Sequence, residues 1–157
     1  MKRLFLTFVP GLLLLAGSAS ALPPPYNPDA NAMAQVSQVL AEARANHKPV
    51  LLFFGANWCP DCRDLAKDLS TGRNAELMKE HFNIAKIDVG DFNRNLVVVN
   101  RFGDPIKNGI PAAVVLSPQG DVLYSTKAGE LSSARSMRVD GVYDFFVEVV
   151  QRTDHKI

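Results

Sequence analysis

The run Trp58-Cys59-Pro60-Asp61-Cys62 holds the side chains of this sequence best suited to chemistry. Two cysteines three positions apart lie on one face of a helix, a single turn from each other. Pro60 fits the first turn, where its missing N–H costs nothing. The spacing therefore predicts a helix starting at Cys59. Unpaired N–H groups and the positive end of the helix dipole stabilise a thiolate there. A thiolate is the nucleophile of disulfide exchange. Cys59 would attack a partner's disulfide, and Cys62 would resolve the mixed disulfide that results. Trp58 would offer an apolar shelf to a peptide partner.

Other chemistries suit the pair less well. A structural disulfide closing so short a loop adds little stability. Zinc asks for about four ligands. His47, His81 and His155 stand at no usual finger spacing, and surface or capping roles suit them better. A copper carrier built on Cys59, Cys62 and one histidine is an alternative of another class. A redox-inert peptide-binding module is a second. The exchange reading calls for no metal and no organic cofactor beyond the Cys59–Cys62 couple.

The elements around the motif follow from periodicity and turn residues. Val50–Gly55 is a continuous apolar run bounded by Pro49 and Gly55, which predicts a strand buried on both faces. Before it, Val36, Val39, Leu40 and Ala43 mark a helix running to about Ala45, capped by Asp29 or Asn31. After the motif, Cys62, Leu65, Ala66 and Leu69 form one apolar stripe, ended by Ser70-Thr71-Gly72. A short helix is expected from Asn74 to about His81, and a strand over Phe82–Val89. Asn93–Phe102 is read as helical against the preference of three consecutive valines. Pro111–Ser117 and Val122–Thr126 form a hairpin about Pro118-Gln119-Gly120-Asp121. Gly129–Arg138 reads as loop and Asp140–Arg152 as a closing helix. This order predicts an α/β layer with a mixed central sheet.

The ends and the composition bound the setting. Met1-Lys2-Arg3, the apolar run Leu4–Leu15 and the small residues Ala19 and Ala21 read as an export signal cleaved after Ala21. Uncleaved, it would be the chain's one membrane contact. Residues 22–28 follow as a stiff proline-rich leader, and residues 29–157 as the domain. The 157 residues suit one domain, and 47% hydrophobic with 21% charged residues excludes wholesale disorder. A formal charge of +1 gives no footprint for nucleic acid. Two cysteines exclude a multi-disulfide scaffold. An oxidising compartment, with the bacterial periplasm as the best fit, would let the pair cycle.

The stretches FFGANWCPDC at Phe53–Cys62, the strand at Asn83–Val89 and GIPAAVVLSPQGDVLYS at Gly109–Ser125 together resemble the thioredoxin-like superfamily. The likeness spans about Val36 to Val150. Within the superfamily the sequence is most similar to exported members and to the periplasmic C-terminal domain of the transmembrane thiol reductases. The resemblance implies a thioredoxin fold, with a central mixed four- to five-stranded sheet flanked by helices. It implies a cis Pro111 facing the cysteines and an Ile110 backbone that pairs with a substrate strand. One departure stands out. Typical members carry a buried acid six residues before the first cysteine, and this chain has Phe53. Proton transfer to Cys62 would then use water or another group; Asp61, Asp64, Asp88 and Glu130 are candidates, and a solvated surface role is the preferred reading of each.

Direction is read from the residues between the cysteines. Strong oxidases of the superfamily place a histidine there, which stabilises the thiolate and hence the reduced form. Asp61 is an anion and opposes a thiolate, although Arg63 could offset it. Ile110 before the proline also resembles thioredoxins. The expectation is a fairly reducing couple acting on cysteine-containing proteins and fed by a membrane thiol-reductant donor. Isomerisation and oxidation are the rivals. The leader is too small to be the dimerisation arm that isomerases use, while pairing through the first helix stays open.

Overall fold

The computed structural model describes residues 23–156, so the export signal expected over Met1–Ala21 lies outside the described residues. Helix α1 (Ala32–Asn46) begins where the Asn31 side chain accepts the Ala34 N–H at 3.0 Å. It ends at His47, which takes a left-handed φ of 59° and turns the chain into β1. Strand β1 (Val50–Gly55) is buried along its whole length, as expected of a continuous apolar run. Helices α2 (Pro60–Asp68) and α3 (Gly72–His81) then cross over to β2 (Asn83–Asp88), which pairs parallel with β1. After α4 (Leu96–Arg101), β3 (Ala112–Leu116) pairs antiparallel with β1, and β4 (Val122–Ser125) antiparallel with β3. Helix α5 (Arg138–Asp154) closes the chain. The sheet has four strands in the order β2-β1-β3-β4, so it is mixed and has β1 near its centre.

Two elements differ from the sequence expectation. Helix α4 starts at Leu96 rather than near Asn93, because Phe92 and Asn95 hold left-handed φ values of 60° and 53° and cannot continue a right-handed helix. The stretch read as loop after Gly129 contains a 3₁₀ turn at Ala134–Ser136, and α5 already begins at Arg138.

The core forms where the sheet meets its helices. Helix α1 packs on β1 and β2, whereas α5 touches α2, α3 and β4. Phe53 meets Phe146 edge-on at 5.8 Å, and Phe146 meets Phe145 at 5.1 Å. Phe53 and Phe146 are buried, and each contributes about 1.5–3 kcal/mol. The position at which the resemblance would place an acid is therefore filled by dry aromatic packing. The leader also enters the core: Tyr26 is 2% exposed.

Candidate active site

The chain leaves the C-terminal end of β1 and turns into α2, which places both cysteines just beyond the end of a central strand. Cys59 is the N-cap of α2, and its Sγ accepts the Cys62 N–H at 3.2 Å. A side chain is thereby held over the helix N-terminus, where positive partial charge favours an anion. The Cys59 thiol points at the Ile110 carbonyl oxygen, 3.7 Å away. The Ile110–Pro111 peptide bond is cis, and both residues are buried. These five residues, Cys59, Pro60, Cys62, Ile110 and Pro111, form one cluster.

The two sulfurs have different surroundings. Cys59 is 4% exposed and Cys62 is fully enclosed. Burial pushes the Cys62 thiol well above its ordinary value, and contact with Cys59 adds to the effect. A hydrogen bond from the Ala56 backbone acts in the opposite sense. A buried thiolate needs donors, because apolar surroundings disfavour its charge.

Trp58 is 52% exposed beside the pair. Its Nε1 donates to the Gly90 carbonyl at 3.0 Å, and its ring leans on Phe92 at 6.1 Å. Phe92 is itself exposed, so the apolar shelf expected of Trp58 is a two-ring surface. The left-handed backbone at Phe92 turns that ring outward, a placement that periodicity does not signal.

Asp61 does not stand as a free anion beside the thiols. Its Oδ1 accepts the Arg135 backbone N–H at 3.0 Å, and its Oδ2 pairs with the Arg135 guanidinium at 3.2 Å. Arg135 therefore supplies the offset that the sequence reading assigned to Arg63. Arg63 is exposed and lines a groove against Pro23, Pro24 and Pro25. Among the acids named as possible proton carriers, Asp64 and Glu130 are exposed and Asp61 is tied to Arg135. Asp88 is 5% exposed, with its Oδ2 accepting the Gly90 N–H at 3.2 Å and lying 3.9 Å from Arg94.

Sequence reasoning missed Tyr26. Its backbone N–H donates to Asn57 Oδ1 at 3.0 Å, and its carbonyl accepts from Asn57 Nδ2 at 2.6 Å. The phenol passes beneath the end of β1 to reach Cys62. A Cβ placed on Gly55 would lie 2.9 Å from Cys62 Sγ and nearer still to the Tyr26 hydroxyl. The signal available in the sequence was a lone aromatic among prolines together with a glycine closing the buried strand. Among the described residues, no three His, Cys, Asp or Glu side chains are grouped to hold a metal ion.

Comparison with known proteins adds kinship to this geometry. The thioredoxin-like family profile matches residues 31–118. The crystal structure of a disulphide isomerase from Xylella fastidiosa Temecula1 is 51% identical in sequence and superposes with a TM-score of 0.80. That match covers 82% of this chain and 98% of the other. The thiol:disulfide interchange protein DsbD 1 of Pseudomonas aeruginosa is 30% identical over 106 residues. Those residues are 64% of this chain but 17% of that much longer relative.

Proposed function

This chain belongs to the thioredoxin-like family and is a thiol–disulfide oxidoreductase; from that premise we propose that it works in the periplasm, exchanging disulfides with protein substrates mainly in the reducing direction. The observation that carries the residue roles is the Cys59 sulfur at the N-cap of α2, held between the Cys62 N–H and the Ile110 carbonyl. The Cys59 thiolate attacks one sulfur of a substrate disulfide, and the other substrate sulfur leaves as a thiolate and takes up a proton. The Cys62 thiolate then attacks Cys59 Sγ. The bond between Cys59 and the substrate breaks, and the second substrate sulfur leaves with its electron pair. The protein dithiol ends as a disulfide and the substrate disulfide as two thiols.

Ile110 and Pro111 receive the substrate backbone, and Trp58 with Phe92 covers its apolar side chains. Pro60 holds the first turn of α2. Met1–Ala21 directs export, a membrane thiol-reductant donor restores the dithiol, and the couple needs no added cofactor. Asp61 in place of a histidine favours the reducing direction, while its ion pair with Arg135 softens that preference. The 51% identity to a protein described as a disulphide isomerase favours isomerisation as the second reading.

The test is the equilibrium reduction potential of the Cys59–Cys62 couple in glutathione and dithiothreitol buffers. A value near roughly −270 mV is the expected result for a reductase. A value near roughly −180 mV would move the assignment to isomerisation, and one near roughly −120 mV to disulfide donation. Failure to form a reversible disulfide would overturn the exchange reading altogether.

A further inference from the structure

We propose that Tyr26, reaching in from the segment before α1, is the positioning residue that prepares Cys62 for the resolving step by donating its phenolic hydrogen bond to the Cys62 sulfur. The proposal deepens the exchange reading above and rests on it. It starts from a need that the geometry creates. Cys62 is fully enclosed, yet it must become a thiolate to attack Cys59. A buried thiolate without donors is strongly disfavoured. The Phe53 position supplies nothing, since it packs edge-on against Phe146.

The phenol stands where the need is. The Tyr26 hydroxyl and Cys62 Sγ converge on the space that a side chain at Gly55 would occupy, with the sulfur 2.9 Å from that point. Glycine at the end of β1 is what leaves room for the ring. The phenol is held there by the two hydrogen bonds that Tyr26 exchanges with Asn57, two residues before Cys59. Arg94 Nη1 donates to the Pro28 carbonyl at 3.0 Å and pins the same segment from the other side of the loop. The donor and the cysteine pair are thus carried on one tethered unit.

A phenol differs from a carboxylate here. A carboxylate that stays ionised repels a thiolate, and it becomes a donor only after taking up a proton. A phenol stays neutral and stabilises the thiolate by a charge-assisted hydrogen bond. Burial holds the Tyr26 hydroxyl proton well above its ordinary range, with the charges of Cys62, Cys59 and Asp88 adding to the effect. In the neutral form that burial favours, the phenol is a hydrogen-bond donor. The charged groups facing this pair are Cys59 and Asp61 from α2 and Asp88 from β2. In the resolving step the Cys62 electron pair forms the bond to Cys59 Sγ, the proton that Cys62 gives up is balanced by the one the departing substrate thiolate takes up, and the Tyr26 proton stays on its oxygen.

The test separates the two chemical steps in the full chain. Reduced protein is mixed with dithiobis(nitrobenzoate). Attack by Cys59 releases the first thionitrobenzoate, and resolution by Cys62 releases the second. Tyr26→Phe keeps the ring that fills the core and removes the donor. The first release should stay within about twofold of wild type, and the second should slow about tenfold, with its rate–pH curve displaced to higher pH. A second release unchanged in rate and pH dependence overturns the proposal. Slowing without displacement of the pH curve also overturns it, since that would assign Tyr26 a packing role alone. If wild-type protein shows no first release at all, the exchange reading fails instead and takes this proposal with it.

Discussion

The two flanks of the cysteine pair are built for opposite purposes. On one flank Trp58 and Phe92 face solvent beside the pair, and the buried Cys59 sulfur points at the Ile110 carbonyl. On the flank of the leader the structure is closed: Tyr26 fills the space beneath Gly55, and Cys62 has no exposed surface. One helical turn separates the sulfurs, and both are buried: Cys59 sits at the N-cap with 4% exposure and Cys62 with none. The difference teaches how a short motif divides its labour. The N-cap sulfur sits at the positive end of the helix dipole, while the sulfur one turn later is sealed away from the solvent that would stabilise its charge.

Substitutions on the two flanks should therefore fail in different ways. The largest effect is expected from Tyr26→Ala, which removes a fully buried ring and leaves a cavity beside Cys62. A loss of about 3–5 kcal/mol is expected, in line with deletion of other buried aromatics. Urea unfolding measures it, and a loss under about 1 kcal/mol would mean that the leader does not seal the site.

A smaller effect of the closed flank is a dependence on pH. Burial raises the Cys62 thiol above its ordinary value of 9.0, so the folded chain keeps a proton that the unfolded chain releases first. The stability of the reduced protein is complete below that value and falls as pH rises above it. The slope is at most about 1.4 kcal/mol per pH unit. Tyr26, raised above its ordinary 10.0, adds a second decline of the same sign at higher pH. Urea unfolding of reduced protein at about pH 8 and about pH 10 checks this, and equal stabilities at the two values would contradict a sealed Cys62.

The smallest effect on stability belongs to the open flank. Trp58→Ala removes an exposed ring and one hydrogen bond to Gly90, for a cost of about 1 kcal/mol or less. Its consequence should appear in function. Reaction with a protein disulfide should slow several-fold, while reaction with a small disulfide stays within about twofold, since only the larger partner meets the Trp58–Phe92 surface. Equal slowing with both would show that the ring acts on the cysteines rather than on the partner.

Much of this arrangement was open to inspection before folding. The apolar run Val50–Gly55, the proline after Cys59 and the stripe through Leu65 and Leu69 are local signals, and local signals set a buried strand running into a helix. The hairpin about Pro118–Asp121 was marked in the same way by its turn residues. The helix expected from Asn93 came out shorter because two left-handed residues, Phe92 and Asn95, end the preceding turn late. Phe92 carries no turn signal, whereas asparagine at 95 is a type that takes a left-handed φ readily.

The sequence by itself determined the chemistry: two cysteines one turn apart at the start of a helix, behind a strand whose every residue is apolar or glycine. Only the tertiary structure decided the environment of each sulfur. Tyr26 reaches the site through Asn57, 31 positions away, and Asp61 is tied to Arg135 across 74 positions. Periodicity reports that a side chain is buried, because burial repeats with the helix or strand that carries it. It carries no record of what that side chain meets, since the partner comes from another element and is chosen when the elements pack. Whether Asp61 faced a thiolate or an arginine, and whether Cys62 faced water or a phenol, depended on that packing.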